Sequence, residues 1–117
     1  MRKTELTKEQ QKEFSWLMEA NTVNENIEVS KMGELVWKSG FWENGTWRCG
    51  IWKDGTWEDG VWEDGYWEDG IWKDGTWEDG TWEGGTWRDG LMWSNLKQKY
   101  IPVKWYEDKR EFEKDLK

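Results

Sequence analysis

Histidine is absent from these 117 residues, and cysteine and proline occur once each. Without histidine, the commonest general base and the commonest metal ligand are gone. The single cysteine, Cys49, cannot close an internal disulfide, which excludes a disulfide scaffold and calls for no oxidising compartment. No apolar run approaches the roughly 18 residues of a membrane span, and the charged N-terminus lacks the apolar stretch of a signal peptide. A soluble, cytoplasmic protein with no membrane partner is therefore expected. Leu, Ile, Val and Phe together number only 18, and the net charge is -8. That shortage of aliphatic residues is the signature of a disordered chain. Fourteen tryptophans point the other way, since each indole buries a large apolar surface. The core of this chain is built of Trp.

The tryptophans are periodic. Trp37, Trp42, Trp47, Trp52, Trp57, Trp62, Trp67, Trp72, Trp77, Trp82 and Trp87 lie five residues apart, and a glycine follows each after three residues, from Gly40 to Gly90. Eleven copies of Trp-x-x-Gly-x fill residues 37–91. A helix is excluded, because five residues advance about 500° and the rings would wind round every face. Eleven helix-interior glycines would add about 0.8–1 kcal/mol of cost apiece. A continuous strand is excluded as well, since an odd spacing flips the ring from one face to the other at each copy. The chain must turn in every copy. Asn44-Gly45 and the Asp-Gly pairs that begin at residues 54, 59, 64, 69, 74, 79 and 89 supply the positive φ of tight turns.

Two all-β architectures meet this constraint. In an antiparallel meander all rings would lie on one side, leaving a ribbon of eleven exposed tryptophans, far beyond the apolar patch of an ordinary soluble monomer. In a β-solenoid the rings point into a coil and successive coils stack. The solenoid is the expected fold, with those eleven tryptophans as its core. The outward positions carry a ten-residue period. Before each Trp, one line reads Phe41, Ile51, Val61, Ile71, Thr81, Leu91, and after it Glu43, Lys53, Glu63, Lys73, Glu83 alternate in sign. That charge ladder favours a two-sided coil, and a four-sided coil of twenty residues remains the other option. Cross-strand pairs contribute only about 0.2–1 kcal/mol each, so the preference is mild.

A string such as Gly55-Thr56-Trp57-Glu58-Asp59 resembles the pentapeptide-repeat family, in which a small residue stands two before a large apolar one and both point into a four-sided right-handed β-helix. Glycine here takes the small position and Trp the large one, and the glycine gives up the space the larger ring takes. The chain departs from the family before Trp, where Asp or Asn is favoured and Thr or an aliphatic residue stands instead. The Gly-x-Trp-x-x-Gly string also resembles MORN-type hairpin repeats, which implies the meander. Some acidic pentapeptide-repeat proteins imitate DNA and bind topoisomerases, and the resemblance implies such a role here.

The flanks read as caps. In residues 1–36, Thr7-x-x-Gln10 is a capping box, and Phe14, Leu17 and Met18 fall at helical spacing, predicting a helix over 7–20 and then a short strand through Ile27 and Val29. In residues 92–117, Trp93 breaks the five-residue spacing, Pro102 interrupts the chain, and Trp105, Phe112 and Leu116 predict a final helix. Solenoids need covered ends, which both flanks would provide.

Ordinary structural roles account for most of the remaining motifs. The Asp-Gly turns lack the Gly-Gly-x-Gly-x-Asp string of calcium-binding β-rolls, and the threonines of an ice-binding face are interrupted by Tyr66. Asn44-Gly45-Thr46 matches a glycosylation sequon, which needs secretion to matter. Cys49 stands where its neighbours use Asp and is read as an idle thiol. Phe41, Ile51, Val61, Ile71 and Leu91 form a candidate interface, to be covered by the N-terminal helix, a protein partner or a second copy of the chain. Asp59, Asp64 and Asp69 represent the acidic surface, for residues 37–91 hold 13 acidic and five basic residues and so carry the whole net charge. That balance argues against direct nucleic-acid binding. No nucleophile–base pair, phosphate loop or metal cluster can be assembled, so neither enzyme activity nor a cofactor is expected. The expected function is that of a structural or interaction protein offering a rigid acidic surface to a protein partner. A short, acidic, near-perfect repeat suits a phage or mobile-element protein, acting in host cytoplasm or virion. The alternatives are a carbohydrate-binding module using exposed Trp and an acidic DNA mimic that binds a DNA-processing enzyme.

Overall fold

The computed structural model describes residues 1–106 and 111–112. From Leu35 to Ser94 the chain winds into a parallel β-solenoid of about four turns. Strand β1 (Asn21–Val29) precedes the ten-residue β2 (Leu35–Asn44), which turns a corner at Gly40 and serves two faces. Nine two-residue strands follow as β3 to β11: Thr46–Trp47, Ile51–Trp52, Thr56–Trp57, Val61–Trp62, Tyr66–Trp67, Ile71–Trp72, Thr76–Trp77, Thr81–Trp82 and Thr86–Trp87. β12 (Leu91–Ser94), β13 (Lys99–Pro102), β14 (Trp105–Tyr106) and β15 (Glu111–Phe112) complete the order.

Repeat strands pair in parallel at an interval of fifteen residues, as in Trp37↔Trp52, Trp42↔Trp57 and Trp47↔Trp62, down to β10 and β11, which end their faces. Three five-residue copies therefore make one coil, and the coil has three sides. The solenoid expectation holds, while the meander and both predicted coil sizes, two-sided and four-sided, do not. The first face runs β2-β4-β7-β10, the second β2-β5-β8-β11 and the third β3-β6-β9-β12-β13. Each copy contributes two inter-coil hydrogen bonds: Glu63 N–H donates to the Trp47 carbonyl at 2.8 Å and Val61 N–H to the Gly45 carbonyl at 3.0 Å, and the same pair recurs down the solenoid.

The lumen explains why three sides win. Rings fifteen residues apart stack face to face, with centroids 4.7 Å apart for Trp37–Trp52 and 5.0 Å for Trp47–Trp62. Rings five residues apart meet edge to face, as at 5.9 Å and 71° for Trp57–Trp62. Three indoles in each layer thus meet edge to face around the axis and leave no hole, whereas a fourth side would open a void at the centre. All tryptophans from Trp37 to Trp72 are 0% exposed, and Trp77 is 3% exposed. Trp57, Trp62, Trp67 and Trp72 also donate their indole N–H groups, at 3.0–3.1 Å, to backbone carbonyls of the next coil.

Glycine makes the corners for two reasons, both visible at Gly60. Its φ is +123°, and a Cβ there would stand 2.2 Å from the Gly45 carbonyl oxygen of the preceding coil. The preceding Asp59 locks the turn by accepting the Gly60 N–H on its own carboxylate at 2.8 Å.

The N-terminal flank is a lid. Thr7 and Gln10 form the predicted capping box, opening α1 (Lys8–Glu13), but the helix breaks at Phe14 and resumes as α2 (Ser15–Glu19). Trp16 on α2 plugs the lumen, with its ring 5.1 Å from Trp47 and 6.4 Å from Trp42. Phe14 and Leu17 are buried behind it. β1 pairs antiparallel with the length of β2, covering the first edge of two faces, and α2 packs on β3, the first strand of the third. The C-terminal flank departs from expectation. Trp105 and Phe112, predicted to share a helix, lie instead on paired antiparallel strands, β14 and β15, while Leu116 lies outside the described residues. Phe112 meets Trp82 and Trp87 edge to face at 5.4 and 5.1 Å. β13 covers β12 in antiparallel register, with Ile101 opposite Met92, which occupies the tryptophan position above Trp77.

Candidate functional site

Because the lumen is filled with buried tryptophan, the side chains open to solvent are those of the outer surface. Each face carries two outward columns, one from the residue before each Trp and one from the residue after it. The fifteen-residue coil disperses the predicted apolar line. Ile51 falls on the first face, Phe41 and Ile71 on the second, and Val61 and Leu91 on the third. These residues do not form one stripe, because spacing by ten is two-thirds of a coil. The N-terminal helix accordingly covers the end of the Trp column and not a lateral surface. Phe41 is exposed at 45% beside Val23 of β1, its register partner.

The charge ladder is rearranged for the same reason. Glu43, Lys53, Glu63, Lys73 and Glu83 are not neighbours along one column. Ion pairs form at the fifteen-residue interval, Arg48 with Glu63 at 3.8 Å and Glu58 with Lys73 at 3.6 Å. Asp59, Asp64 and Asp69 occupy three different corners of the coil, so the acidic surface encircles it. Asp59 lies in a corner column with Asp74 and Asp89, and Asp64 in one with Cys49 and Asp79. Each of these aspartates binds its following glycine N–H at 2.8 Å. Cys49 is exposed, and partial burial of its sulfur together with the negative charge of Asp64, Glu13 and Glu34 raises its pKa, which lowers its thiolate content. Among the described residues no group of three or more Cys, Asp or Glu side chains is arranged to hold a metal ion, and no helix is long and apolar enough to cross a membrane.

The third face ends differently from the others. Its outward column after Trp reads Arg48, Glu63, Glu78 and then Trp93, so this ring faces outward while Met92 and Ser94 on either side are buried. Across the β12–β13 pair stands Tyr100, edge to face with Trp93 at 5.1 Å, and its hydroxyl donates to Glu78 at 2.9 Å. Partial burial, the hydrogen bond to Glu78 and its charge raise the Tyr100 pKa. Trp93 donates its indole N–H to Asn95 at 3.0 Å. Trp77, Glu78, Asp79, Gly80, Trp93 and Asn95 line a notch of about 260 Å³ there. The sequence signal for it is the six-residue step from Trp87 to Trp93, which marks the end of the repeat but not the outward turn of the ring.

A buried ionic cluster in the lid has no such signal in the sequence. Glu25, 2% exposed, accepts from Arg2 at 3.1 and 3.3 Å, from the Lys3 N–H at 3.0 Å and from Thr22 at 3.0 Å. Burial pushes its carboxyl up, but these hydrogen bonds outweigh it and hold the pKa at about 2. Lys3 closes the end of α2 by donating to the Leu17 and Ala20 carbonyls at 3.2 and 2.7 Å. The cluster ties the first residues of the chain and the end of α2 to β1, within the lid.

Comparison with protein-family models, with curated proteins and with solved structures found no match to this chain. The pentapeptide-repeat resemblance therefore rests on the residues alone, and the three-sided coil differs from the four-sided one the resemblance implies.

Proposed function

We propose that this chain is a non-enzymatic interaction protein whose solenoid presents a rigid acidic rod to a basic protein partner. One observation carries the reading: the interior is sealed by tryptophan, while all 13 acidic residues of the repeat lie on outward columns or corners against five basic ones. Stacked rings and paired backbones fix the chain positions that carry these charges, so a partner meets them with no cost for ordering the backbone. Burial of the repeat tryptophans argues against a sugar-stacking ribbon made from them.

A second reading, mimicry of a nucleic-acid backbone, is favoured by charge density. About four turns at roughly 4.8 Å per coil span ~19 Å, so the net charge of the repeat is about one per 2.4 Å, the same order as the one per ~1.7 Å of duplex DNA. Competition decides between the two. Binding to a duplex-DNA-binding domain should weaken steeply with salt, duplex DNA should displace the rod, and Asp64→Lys with Asp69→Lys should abolish capture. Salt-sensitive binding to a basic protein without displacement by DNA supports the general rod alone. Binding that survives charge reversal and high salt overturns both.

A further inference from the structure

We infer that the second face is a docking surface for a second copy of this chain, turned end for end, so that the protein forms a weak, closed dimer. Such a dimer neither requires nor excludes the acidic rod, because it occupies one face and leaves the other two open.

On β2, β5, β8 and β11 this face carries two outward columns. Phe41, Thr56, Ile71 and Thr86 stand before the tryptophans, and Glu43, Glu58, Lys73 and Arg88 after them. The second column changes sign halfway, from two carboxylates to two cations. A wholly basic partner would be repelled by Lys73 and Arg88. The column is complementary instead to its own reverse. A twofold axis along the strands, between β5 and β8, turns a second copy over and sets each column against the same column in opposite order. Glu43 then faces Arg88 of the second copy and Glu58 faces Lys73, and symmetry makes each pair twice. Glu58 and Lys73 already pair within the chain at 3.6 Å, so the axis passes through a square of four alternating charges. Glu43 and Arg88 form no ion pair among the described residues. The same rotation lays Phe41, at 45% the exposed ring of the repeat, on Thr86, and Ile71 on Thr56.

The other faces are less suited. On the third, the same rotation would set Glu63 against Glu78 of the second copy. The first reads Lys38, Lys53, Glu68 and Glu83, but its end charges are engaged, Lys38 with Glu28 at 3.9 Å and Glu83 with the Tyr66 hydroxyl. Laid end for end on the first face, the second would meet like charges, so identical faces pair and the assembly closes at two chains. Corner aspartates oppose the contact at its rims, where Asp54 meets Asp69 and Asp59 meets Asp74. Each holds its own glycine N–H at 2.8 Å, and salt near 0.15 M screens exposed charges beyond about 8 Å. Four strands about 4.8 Å apart and three residues wide give a patch of roughly 19 by 10 Å, well under a standard interface, so the dissociation constant should be on the order of 0.1 mM.

Sedimentation equilibrium of the full chain, from about 10 μM to about 1 mM in roughly 0.15 M salt, is the test. Wild type should pass from monomer to dimer and no further. Glu43→Arg places a cation opposite Arg88 of the second copy, and Arg88→Glu places a carboxylate opposite Glu43. Either change alone should weaken self-association at least about tenfold. Mixed in equal amounts, the two variants should associate with each other to within about threefold of wild type, because each supplies the charge the other lacks. The double variant Glu43→Arg/Arg88→Glu should recover likewise. Lys53→Glu and Glu68→Arg, on the first face, change the net charge by the same amounts and should shift the constant less than about threefold. Phe41→Ser should weaken it roughly three- to tenfold. The dimer is overturned if wild type stays monomeric to about 1 mM, or if the first-face variants weaken association as much as the second-face ones. It is overturned as well if the two reversal variants, folded by their far-UV spectra, fail to associate when mixed.

Discussion

At one end of the solenoid, Trp37, Trp42 and Trp47 are fully buried under a lid that seats Trp16 in the lumen and gives all three faces a covering element. At the other, Trp82 and Trp87 stay half-buried beneath Phe112, and antiparallel β13 covers the third face. The interior layers between them are nearly identical. A coil of this kind buries its rings only against its neighbours, so stability is a sum of layer-to-layer contacts and the ends decide where opening begins. The C-terminal layer should therefore open at lower free energy than the N-terminal one.

The largest expected effect breaks the interior that the two ends share. Gly60→Ala places a methyl group against the Gly45 carbonyl and should cost at least about 4 kcal/mol in urea unfolding. Gly33→Ala, with φ +84° but open space around it, should cost only about 1 kcal/mol. Next come the two plugs. Trp16→Ala should destabilise by about 3–5 kcal/mol, the usual cost of truncating a buried aromatic. Phe112→Ala should cost less than half of that. Amide exchange should locate the first loss in the lid and the second in the layer of Trp82 and Trp87. Equal costs would remove the asymmetry.

Acid should distinguish the ends as well. Glu25 has its pKa lowered from 4.5 to about 2, so its contribution is fully present above about pH 4.5 and is lost as the pH falls towards 2. That contribution is on the order of 3 kcal/mol, and Glu25→Gln should abolish this part of the pH dependence. The exchange of lid amides, not those of the last coil, should follow the acid transition. The smallest effect concerns the surface: Arg48→Ala and Lys73→Ala remove exposed ion pairs and should each cost under about 1 kcal/mol. A larger loss would mean that charge columns hold the coil together.

Much of this is legible in the sequence because it follows from local rules. The five-residue spacing requires a corner in each copy, glycine identifies the corner, and the rings have nowhere to go but inward. Thr7 and Gln10 announce the start of the first helix. Coil size is hidden because Glu43, Lys53 and Glu63 alternate at ten residues, and such weak surface pairs do not set it. The fit of three indoles around the axis does, and no single copy encodes that fit. Trp16 and Glu25 are hidden for a related reason: their partners, Trp47 and Arg2, are distant in sequence. The outward turn of Trp93 follows from Met92 taking the lumen position, a substitution whose meaning needs the column beneath it.

The central claim is that residues fifteen apart are nearest neighbours on a three-sided coil. In a Cys49→Ser background, nitroxide labels at Thr56→Cys with Ile71→Cys should lie one strand spacing apart, roughly 5 Å, and show strong dipolar broadening. The pairs Thr56→Cys with Tyr66→Cys, and Thr56→Cys with Thr76→Cys, should show much less. Strong broadening in the ten-residue pair or the twenty-residue pair, without it in the fifteen-residue pair, would contradict the three-sided coil.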